Sequence, residues 1–167
     1  MEFTLREWKK SDSAALQKYA DNIKIANNLR DVFPNPYTLS DAENYIRSCL
    51  EESPARQYVR AVDIGGEAAG SIGVFLRDDV YRKSGEIGYW LGEPFWKQGI
   101  MSEAVRRVCG HVFAHYDIVR IDACVFAGNA ASRKVLEKAG FTLEGVLRKS
   151  IYKNGEYQDG CMYSKII

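Results

Sequence analysis

The residues best suited to chemistry gather around a turn between a strand that ends at Leu91 and a helix that begins near Met101. The turn reads W-K-Q-G-I-M-S over Trp96–Ser102. Gly99 lets the backbone approach a ligand closely, and the free N–H groups at the start of the following helix suit a diphosphate. An ordinary strand-to-helix connection has the same features, so the turn by itself leaves both interpretations open.

A second segment with chemical potential reads N-A-A-S-R-K-V-L-E-K-A-G-F from Asn129 to Phe141. Asn129 is predicted to cap a helix, Ser132 falls in its first turn, and Gly140 closes it. Helix capping alone explains these residues. A ligand role for Asn129 and Ser132 therefore needs support from the rest of the chain.

Two histidines, His111 and His115, lie four residues apart on the predicted long helix, away from its start. We interpret them as surface or packing residues, since no third ligand for a metal is evident. The four cysteines are scattered without a C-x-x-C pair, which predicts buried free thiols instead of a disulfide framework or zinc site. No metal is expected.

The elements that must position these residues follow from hydrophobic periodicity and turn signals. Strands are predicted over Phe3–Trp8, Gln57–Asp63, Glu67–Leu76, Ser84–Leu91, Arg120–Phe126, Thr142–Tyr152 and Tyr157–Ile166. A short hairpin is expected at Gly65–Gly66, because both glycines tolerate positive φ.

Four helices are predicted between these strands. The first carries an apolar face from Ala15 to Ile23, and a loop follows it from about Asn27 to Tyr37. The second starts at a capping-box pattern over Ser40–Glu43 and stops near Pro54. The third runs from Met101 with an apolar stripe to Tyr116, and the fourth covers Asn129–Ala139. The order β-α-α-β-β-β-α-β-α-β-β predicts a mixed sheet with helices on both faces, in one α+β domain over residues 1–167.

Composition excludes several kinds of partner. The chain has 167 residues and a formal net charge of +1, which creates no general field for nucleic acid or an anionic membrane. No run approaches the roughly 18 apolar residues of a membrane span, and the start of the chain lacks a signal-peptide core. We therefore expect a cytoplasmic protein that binds neither nucleic acid nor membranes.

Taken together and in order, the strand Glu86–Leu91, the turn and the Asn129–Phe141 helix resemble the GNAT acetyltransferases. Within that superfamily the chain is most similar to the RimJ/RimL-like branch of ribosomal-protein N-terminal acetyltransferases. That similarity extends to Phe33–Thr38, Glu144–Arg148 and Asn154–Asp159. The resemblance implies a twisted, mostly antiparallel mixed sheet of about seven strands and acetyl-CoA as the cofactor.

The resemblance also implies how acetyl-CoA is held. Strand backbone at Tyr89, Trp90 and Leu91 would align the pantetheine arm, and Asn129 would bond its amides. The amides of the turn would hold the diphosphate. The implied turn and phosphate contacts are Lys97, Gln98, Gly99, Ile100, Met101, Ser102 and Lys134. Met101 departs from the usual small residue, and its helical phase with Val105 predicts that it points inward.

Two residues are candidates for catalysis. An ammonium has no lone pair, so acyl transfer at neutral pH needs a proton acceptor or a solvent path. Glu86 resembles the strand glutamate of the histone-acetylating branch, and partial burial would raise its pKa toward a useful range. By resemblance, Ser132 lies where this branch can place a hydroxyl near the cofactor sulfur, so it is the candidate for stabilising or protonating the departing thiolate. Leu136 stands where some N-terminal acetyltransferases of the superfamily carry a tyrosine acid, so that route to protonation is closed. Rivals for the base are Asp159, Tyr152, Tyr157 and a chain of waters.

The acceptor is the least determined part of this prediction. By resemblance, Arg30, Asp31, Phe33 and Tyr152 flank the thioester, although Arg30 and Asp31 also suit a solvated loop pair. A protein N-terminal α-amine is slightly favoured over a small polyamine or aminoglycoside. A non-catalytic acyl-CoA-binding or sensing module is the alternative function, and a homodimer is left open.

Overall fold

Seven strands and five α-helices make up the chain in the computed structural model, which describes residues 1–167. The strands form one sheet in the order β1-β2-β3-β4-β5-β7-β6. They are β1 Thr4–Arg6, β2 Gln57–Ile64, β3 Glu67–Leu76, β4 Ser84–Leu91, β5 Arg120–Phe126, β6 Thr142–Lys153 and β7 Glu156–Ile166. The pair β4 and β5 is parallel, and β1/β2, β5/β7 and β6/β7 are antiparallel. The predicted mixed, mostly antiparallel sheet of seven strands is confirmed.

The helices are α1 Ser13–Ala20, α2 Ile23–Ala26, α3 Leu39–Glu51, α4 Ile100–His115 and α5 Ala130–Lys138. Short 3-10 turns occur at Lys10–Asp12, Asp79–Tyr81 and Glu93–Phe95. None of the helices combines the length and the apolar content that crossing a membrane requires.

The chain divides into two compact units that alternate along the sequence. One comprises Met1–Gly73 with Tyr89–Ile100, and the other comprises Val74–Gly88 with Met101–Ile167. We call them the first and the second unit. The assignment of residues 1–167 to one domain stays a prediction.

The first unit surrounds an apolar core drawn from α1, α3, β2 and β3. The buried residues of this core are Trp8, Leu16, Ala20, Tyr37, Ala42, Ile46, Val59, Ala61 and Ala68. Arg6 braces the unit at its polar edge, where its guanidinium donates to both Asp12 oxygens at 2.8 and 2.9 Å. Its Nε donates to Asp63 at 2.6 Å, which ties β1 to β2 and to the Lys10–Asp12 turn.

The second unit is centred on α4 and on strands β5 and β7. The buried face of α4 presents Val105, Val108, Cys109 and Val112, as the apolar stripe predicts. Tyr163 of β7 is fully buried, and its hydroxyl donates to Glu137 of α5 at 2.9 Å. This hydrogen bond fixes α5, whose first turn bears the candidate residue Ser132.

Several predicted boundaries were wrong. The first strand covers Thr4–Arg6 instead of Phe3–Trp8, because a turn closes at Asp12, whose carboxylate accepts from the Lys9 amide at 2.8 Å. The first helix ends at Ala20. Asn22 then caps the short helix α2, and Ile23, expected on an apolar face, is half exposed.

The cap of the second long helix was also misplaced. Thr38, and not Ser40, is the N-cap of α3: its hydroxyl accepts from the Asp41 amide at 3.1 Å, and the Asp41 carboxylate accepts from the Thr38 amide at 2.8 Å. The hairpin prediction is confirmed, since Gly65 and Gly66 have φ of +63° and +89°.

Candidate active site

The predicted anion-binding turn is anchored to the end of β4. The amide of Gly92 donates to the Ala69 carbonyl at 2.8 Å, which keeps the chain against β3 as it leaves the strand. The turn Glu93–Phe95 follows, and the indole N–H of Trp96 reaches back to the Leu91 carbonyl at 2.6 Å. Strand end and turn therefore form one braced corner in the first unit.

Left-handed backbone conformations give the turn its shape. Lys97 has φ of +61° and Gly99 has φ of +76°. A Cβ on Gly99 would meet no heavy atom within 4 Å, so glycine is favoured by the backbone conformation, and the space beside it is open. Helix α4 starts at the next residue, Ile100, and the N–H groups of its first turn lack intrahelical acceptors. This arrangement suits a diphosphate.

The side chains of the turn divide into an exposed and a buried group. Lys97 and Gln98 are exposed, and the Gln98 amide donates to the Pro94 carbonyl at 3.1 Å. Met101 and Ser102 are buried. The inward orientation predicted for Met101 is confirmed.

The backbone of β4 at Tyr89, Trp90 and Leu91 faces the two edges of the strand in turn. A Cβ on Gly70 of β3 would come within 2.6 Å of the Trp90 carbonyl oxygen, so that carbonyl faces β3. Strand alternation turns the backbone of Tyr89 and Leu91 to the opposite edge. There, the Leu91 carbonyl accepts the Trp96 indole N–H.

Helix α5 presents the other predicted cofactor residues in the second unit. Asn129 is its N-cap, as predicted, and its side-chain oxygen accepts from the Ser132 amide at 3.2 Å. Ser132 is half-buried and Lys134 is exposed. Leu136 is fully buried in the core.

Glu86, the candidate base, lies on β4 with its side chain 49% exposed. Its carboxylate comes within 3.6 Å of a guanidinium nitrogen of Arg77. About half of the Glu86 side chain is thus removed from solvent, which is the partial burial considered for a catalytic base. On the same strand face, Gly88 leaves an open position, and a Cβ there would touch only the ring of Phe75, which is itself 42% exposed.

Beside Glu86 lies a network of charges that sequence reasoning missed. Asp122 of β5 pairs in register with Glu86 of β4 and is almost completely buried. Its carboxylate accepts from both terminal nitrogens of Arg77, at 2.7 and 2.9 Å, and from Nε of Arg120 at 2.8 Å. Arg120 in turn pairs with Glu144 of β6.

The charge network determines the ionisation of Asp122. Burial raises the pKa of this carboxyl, but hydrogen bonds and positive charge from Arg77 and Arg120 outweigh burial and hold the pKa below the ordinary 3.8. A signal for this group was present in the sequence. A single acidic residue within the apolar run I-D-A-C-V-F needs a cationic partner if the strand is buried.

The cysteines and histidines differ in part from their predictions. Cys109 and Cys161 are buried and Cys49 is partly buried, but Cys124 on β5 is exposed, so burial was wrong for that thiol. Cys124 lies two residues beyond Asp122 on the same side of the strand. His115 is exposed on α4, with its ring stacked on that of His111 at 4.2 Å.

The predicted acceptor residues have different environments. Arg30 and Asp31 are exposed in the loop of the first unit, whereas Phe33 packs on Trp90 at a ring distance of 5.9 Å. Tyr152 belongs to the second unit, where it is 63% exposed and lies against Tyr157. Another rival for the base, Asp159, accepts from the Lys149 amide at 2.8 Å.

A mixed sheet, a glycine turn after its fourth strand and a helix that offers free backbone donors are the features that the resemblance to acyl-CoA-dependent transferases implies. Residues 2–142 match the acetyltransferase (GNAT) domain family. The chain belongs to this family and is an acetyl-CoA-dependent N-acetyltransferase. The predicted superfamily, cofactor and enzyme class are confirmed, and the alternative of a non-catalytic acyl-CoA-binding module is set aside.

Three similar proteins illustrate this relationship. YdaF of Bacillus subtilis, named provisionally as a ribosomal N-acetyltransferase, is 34% identical over 131 residues, 75% of this chain and 70% of YdaF. The structure of RimL, a ribosomal L7/L12 α-N-protein acetyltransferase, in complex with coenzyme A superposes with a TM-score of 0.88. It is 28% identical, and the match covers 99% of this chain and 94% of RimL. The structure of the microcin C7 self-immunity acetyltransferase MccE, in complex with acetyl-CoA and AMP, superposes with a TM-score of 0.87. It is 25% identical, and the match covers 99% of this chain and 93% of MccE.

Exchange of Asp122 for asparagine tests the charge network. Asp122→Asn should lower the free energy of unfolding near neutral pH by about 3–5 kcal/mol, because two guanidinium groups lose their shared carboxylate. The pKa of Asp122 is lower in the folded than in the unfolded protein. The stabilisation is therefore fully present above pH 3.8, the ordinary pKa, and is lost as the pH falls toward the lower pKa of the folded state. In urea unfolding, the gap between wild type and variant should therefore narrow with acid.

The matched control is Asp117→Asn, since the Asp117 side chain is 90% exposed. That change should stay within about 0.5 kcal/mol at every pH. A gap for Asp122→Asn that stays constant down to about pH 3 would contradict a depressed pKa.

Proposed function

We propose that this N-acetyltransferase acts on the α-amine at the N-terminus of a protein or peptide. The observation that carries the proposal is the exposure of the candidate base: Glu86 is half exposed, and its neighbours Phe75 and Cys124 are exposed too. A bulky acceptor can reach such a surface. The names of YdaF and RimL, which refer to ribosomal-protein acetylation, support the same acceptor class.

The cofactor contacts belong to this proposal. Acetyl-CoA supplies the acetyl group as an activated thioester. Backbone amides from Gln98 to Ser102 bind the diphosphate, supported by the Ser102 hydroxyl and by Lys97 and Lys134. Tyr89 and Leu91 of β4 align the pantetheine arm through their backbone. Asn129 bonds the amides of this arm through its side chain.

The chemistry needs one proton to leave the amine and one to reach the thiolate. The free amine attacks the thioester carbonyl, the new C–N bond forms and the C–S bond breaks. Glu86 takes the proton from the amine, directly or through one water. Ser132 stabilises the departing thiolate with a hydrogen bond, and the thiolate takes up its proton from solvent. Arg30, Asp31, Phe33 and Tyr152 contact the acceptor in this proposal.

The acceptor class is tested by thiol release from acetyl-CoA with a defined panel. The panel consists of peptides with a free N-terminus, the same peptides with a blocked N-terminus and an internal lysine, a polyamine and an aminoglycoside. We expect turnover with the free peptides and less than a tenth of it, roughly, with the others. Turnover confined to small amines would overturn the proposal, and the complex of MccE with AMP makes a small-molecule substrate the second candidate.

The grip on the diphosphate is tested by two changes in the turn. Gly99→Val should weaken coenzyme A binding about tenfold or more, because a β-branched residue resists a φ of +76°. Lys97→Gln should have a smaller effect on the dissociation constant measured by calorimetry. A larger loss for Lys97→Gln would contradict a grip based on backbone amides.

Gly65→Val is the matched control for strain. Gly65 also has a left-handed φ and open space around a Cβ, but it lies in the β2–β3 hairpin. We expect a comparable loss of thermal stability without a change in coenzyme A affinity.

The catalytic roles are tested by Glu86→Gln and Ser132→Ala. Loss of a base should reduce the rate most at and below neutral pH, where the acceptor is protonated, while loss of the Ser132 hydroxyl should lower kcat by about tenfold at every pH. Full activity of either variant across the pH range would remove the role assigned to that residue.

A further inference from the structure

We infer that Arg77 is the positioning residue for Glu86, and that Asp122 anchors Arg77 for this task. The inference rests on the role proposed above for Glu86 and adds a part of the site that the family resemblance does not assign. All the side chains involved belong to the second unit.

The guanidinium of Arg77 is held on one side by acceptors on β4 and β5. Its two terminal nitrogens donate to the two oxygens of Asp122 at 2.9 and 2.7 Å. One of them also donates to the Ser84 hydroxyl at 3.1 Å, and that hydroxyl donates to the Tyr81 carbonyl at 2.8 Å. Arg77 is therefore fixed by a bidentate pair and a hydroxyl.

The fixed guanidinium reaches Glu86 with its remaining side. The distance from Nη2 of Arg77 to Oε2 of Glu86 is 3.6 Å, longer than a hydrogen bond but within range of an ion pair. Because both terminal nitrogens of Arg77 already donate to Asp122, Arg77 orients the Glu86 carboxylate without forming a hydrogen-bonded pair with it. The carboxylate oxygens stay accessible to an incoming ammonium group.

The parallel ladder explains why one arginine spans both carboxylates. Glu86 lies opposite Asp122 in the register of β4 and β5, so the two side chains leave the same face of the sheet. Arg77 follows directly on the end of β3 and reaches across β4 to β5. The geometry requires the fork of an arginine, since a lysine ammonium cannot make the bidentate pair and face Glu86 as well.

The charges that face Glu86 leave one carboxylate uncompensated. Arg77 and Asp122 lie beside it, and the Cys124 thiol follows on β5. Over the whole network, two guanidinium groups face three carboxylates. Glu86 has the most exposed side chain of the three, at 49% against 7% for Asp122 and 39% for Glu144. The surplus negative charge therefore lies at the solvent-exposed end of the network, where it would attract a cationic amine.

The test is the pH profile of kcat/KM for the acceptor with Arg77→Gln and Arg77→Lys. Without the guanidinium, the Glu86 carboxylate loses its positive neighbour and its orientation, so the acidic limb of the Arg77→Gln profile should no longer superpose on that of wild type. Arg77→Lys should restore the position of the limb but not kcat, which we expect roughly tenfold below wild type because the fork is lost. The KM for acetyl-CoA should not change.

Arg6 supplies the matched control in the first unit. It also makes a bidentate pair, with Asp12, and reaches a second carboxylate, Asp63. Arg6→Gln and Arg6→Lys should lower thermal stability to a similar degree and leave the pH profile of the folded enzyme unchanged. If Arg77→Gln does not fold, the kcat of Arg77→Lys tests the positioning role: a tenfold loss, roughly, supports it and a wild-type value overturns it.

The outcomes separate this inference from the proposed function. Full activity of Glu86→Gln across the pH range would remove both together. Two outcomes would overturn the positioning role alone, provided that Glu86→Gln is defective. One is an Arg77→Gln pH profile that superposes on that of wild type, and the other is an Arg77→Lys variant with wild-type kcat. A shifted limb in the Arg6 variants would show that the effect comes from stability.

Discussion

A carboxylate removed from water must be compensated, and the Asp122 carboxylate is the point at which this constraint acts most strongly in the second unit. An isolated buried charge is costly, and a pair is tolerated only when its geometry satisfies both partners. Asp122 meets this condition by accepting from Arg77 and Arg120. These two arginines reach Glu86 and Glu144, so one buried group links the end of β3 with β4, β5 and β6.

This linkage connects stability with chemistry. A buried ion pair contributes little net stability compared with apolar packing. The network around Asp122 is therefore better explained by the side chains that it orients than by the free energy of folding that it adds. The outer member, Glu86, is the residue that the family resemblance proposes as a base. Its neighbours are fixed by the packing of the sheet, and the acceptor would therefore meet a preorganised carboxylate on a surface open to solvent.

Sequence patterns with local causes predicted the structure well. The span of β3 and β4, the cap at Asn129 and the inward side chain of Met101 all depend on periodicity or on neighbours within four residues, and all were confirmed. The errors arose where two local patterns compete or where tertiary contacts decide. Thr38 caps α3 because its reciprocal bonds with Asp41 outcompete those open to Ser40, and the pattern S-D-A-E does not show this.

The candidate site likewise contains parts that depend on local sequence and parts that depend on distant residues. The turn at Gly99 could be predicted because its shape comes from backbone conformation and a helix start, which glycine and strand-to-helix order reveal. Arg77 and Asp122 lie 45 residues apart, and only the β4–β5 register brings them together, so no local pattern could identify the pair. Parts built from backbone can be kept through wide sequence change, whereas parts built from distant side chains can be exchanged one by one. A superfamily that keeps its cofactor and changes its acceptor is expected to hold the first with backbone and to read the second with side chains. The roles proposed for the turn at Gly99 and for the charges around Glu86 follow that division.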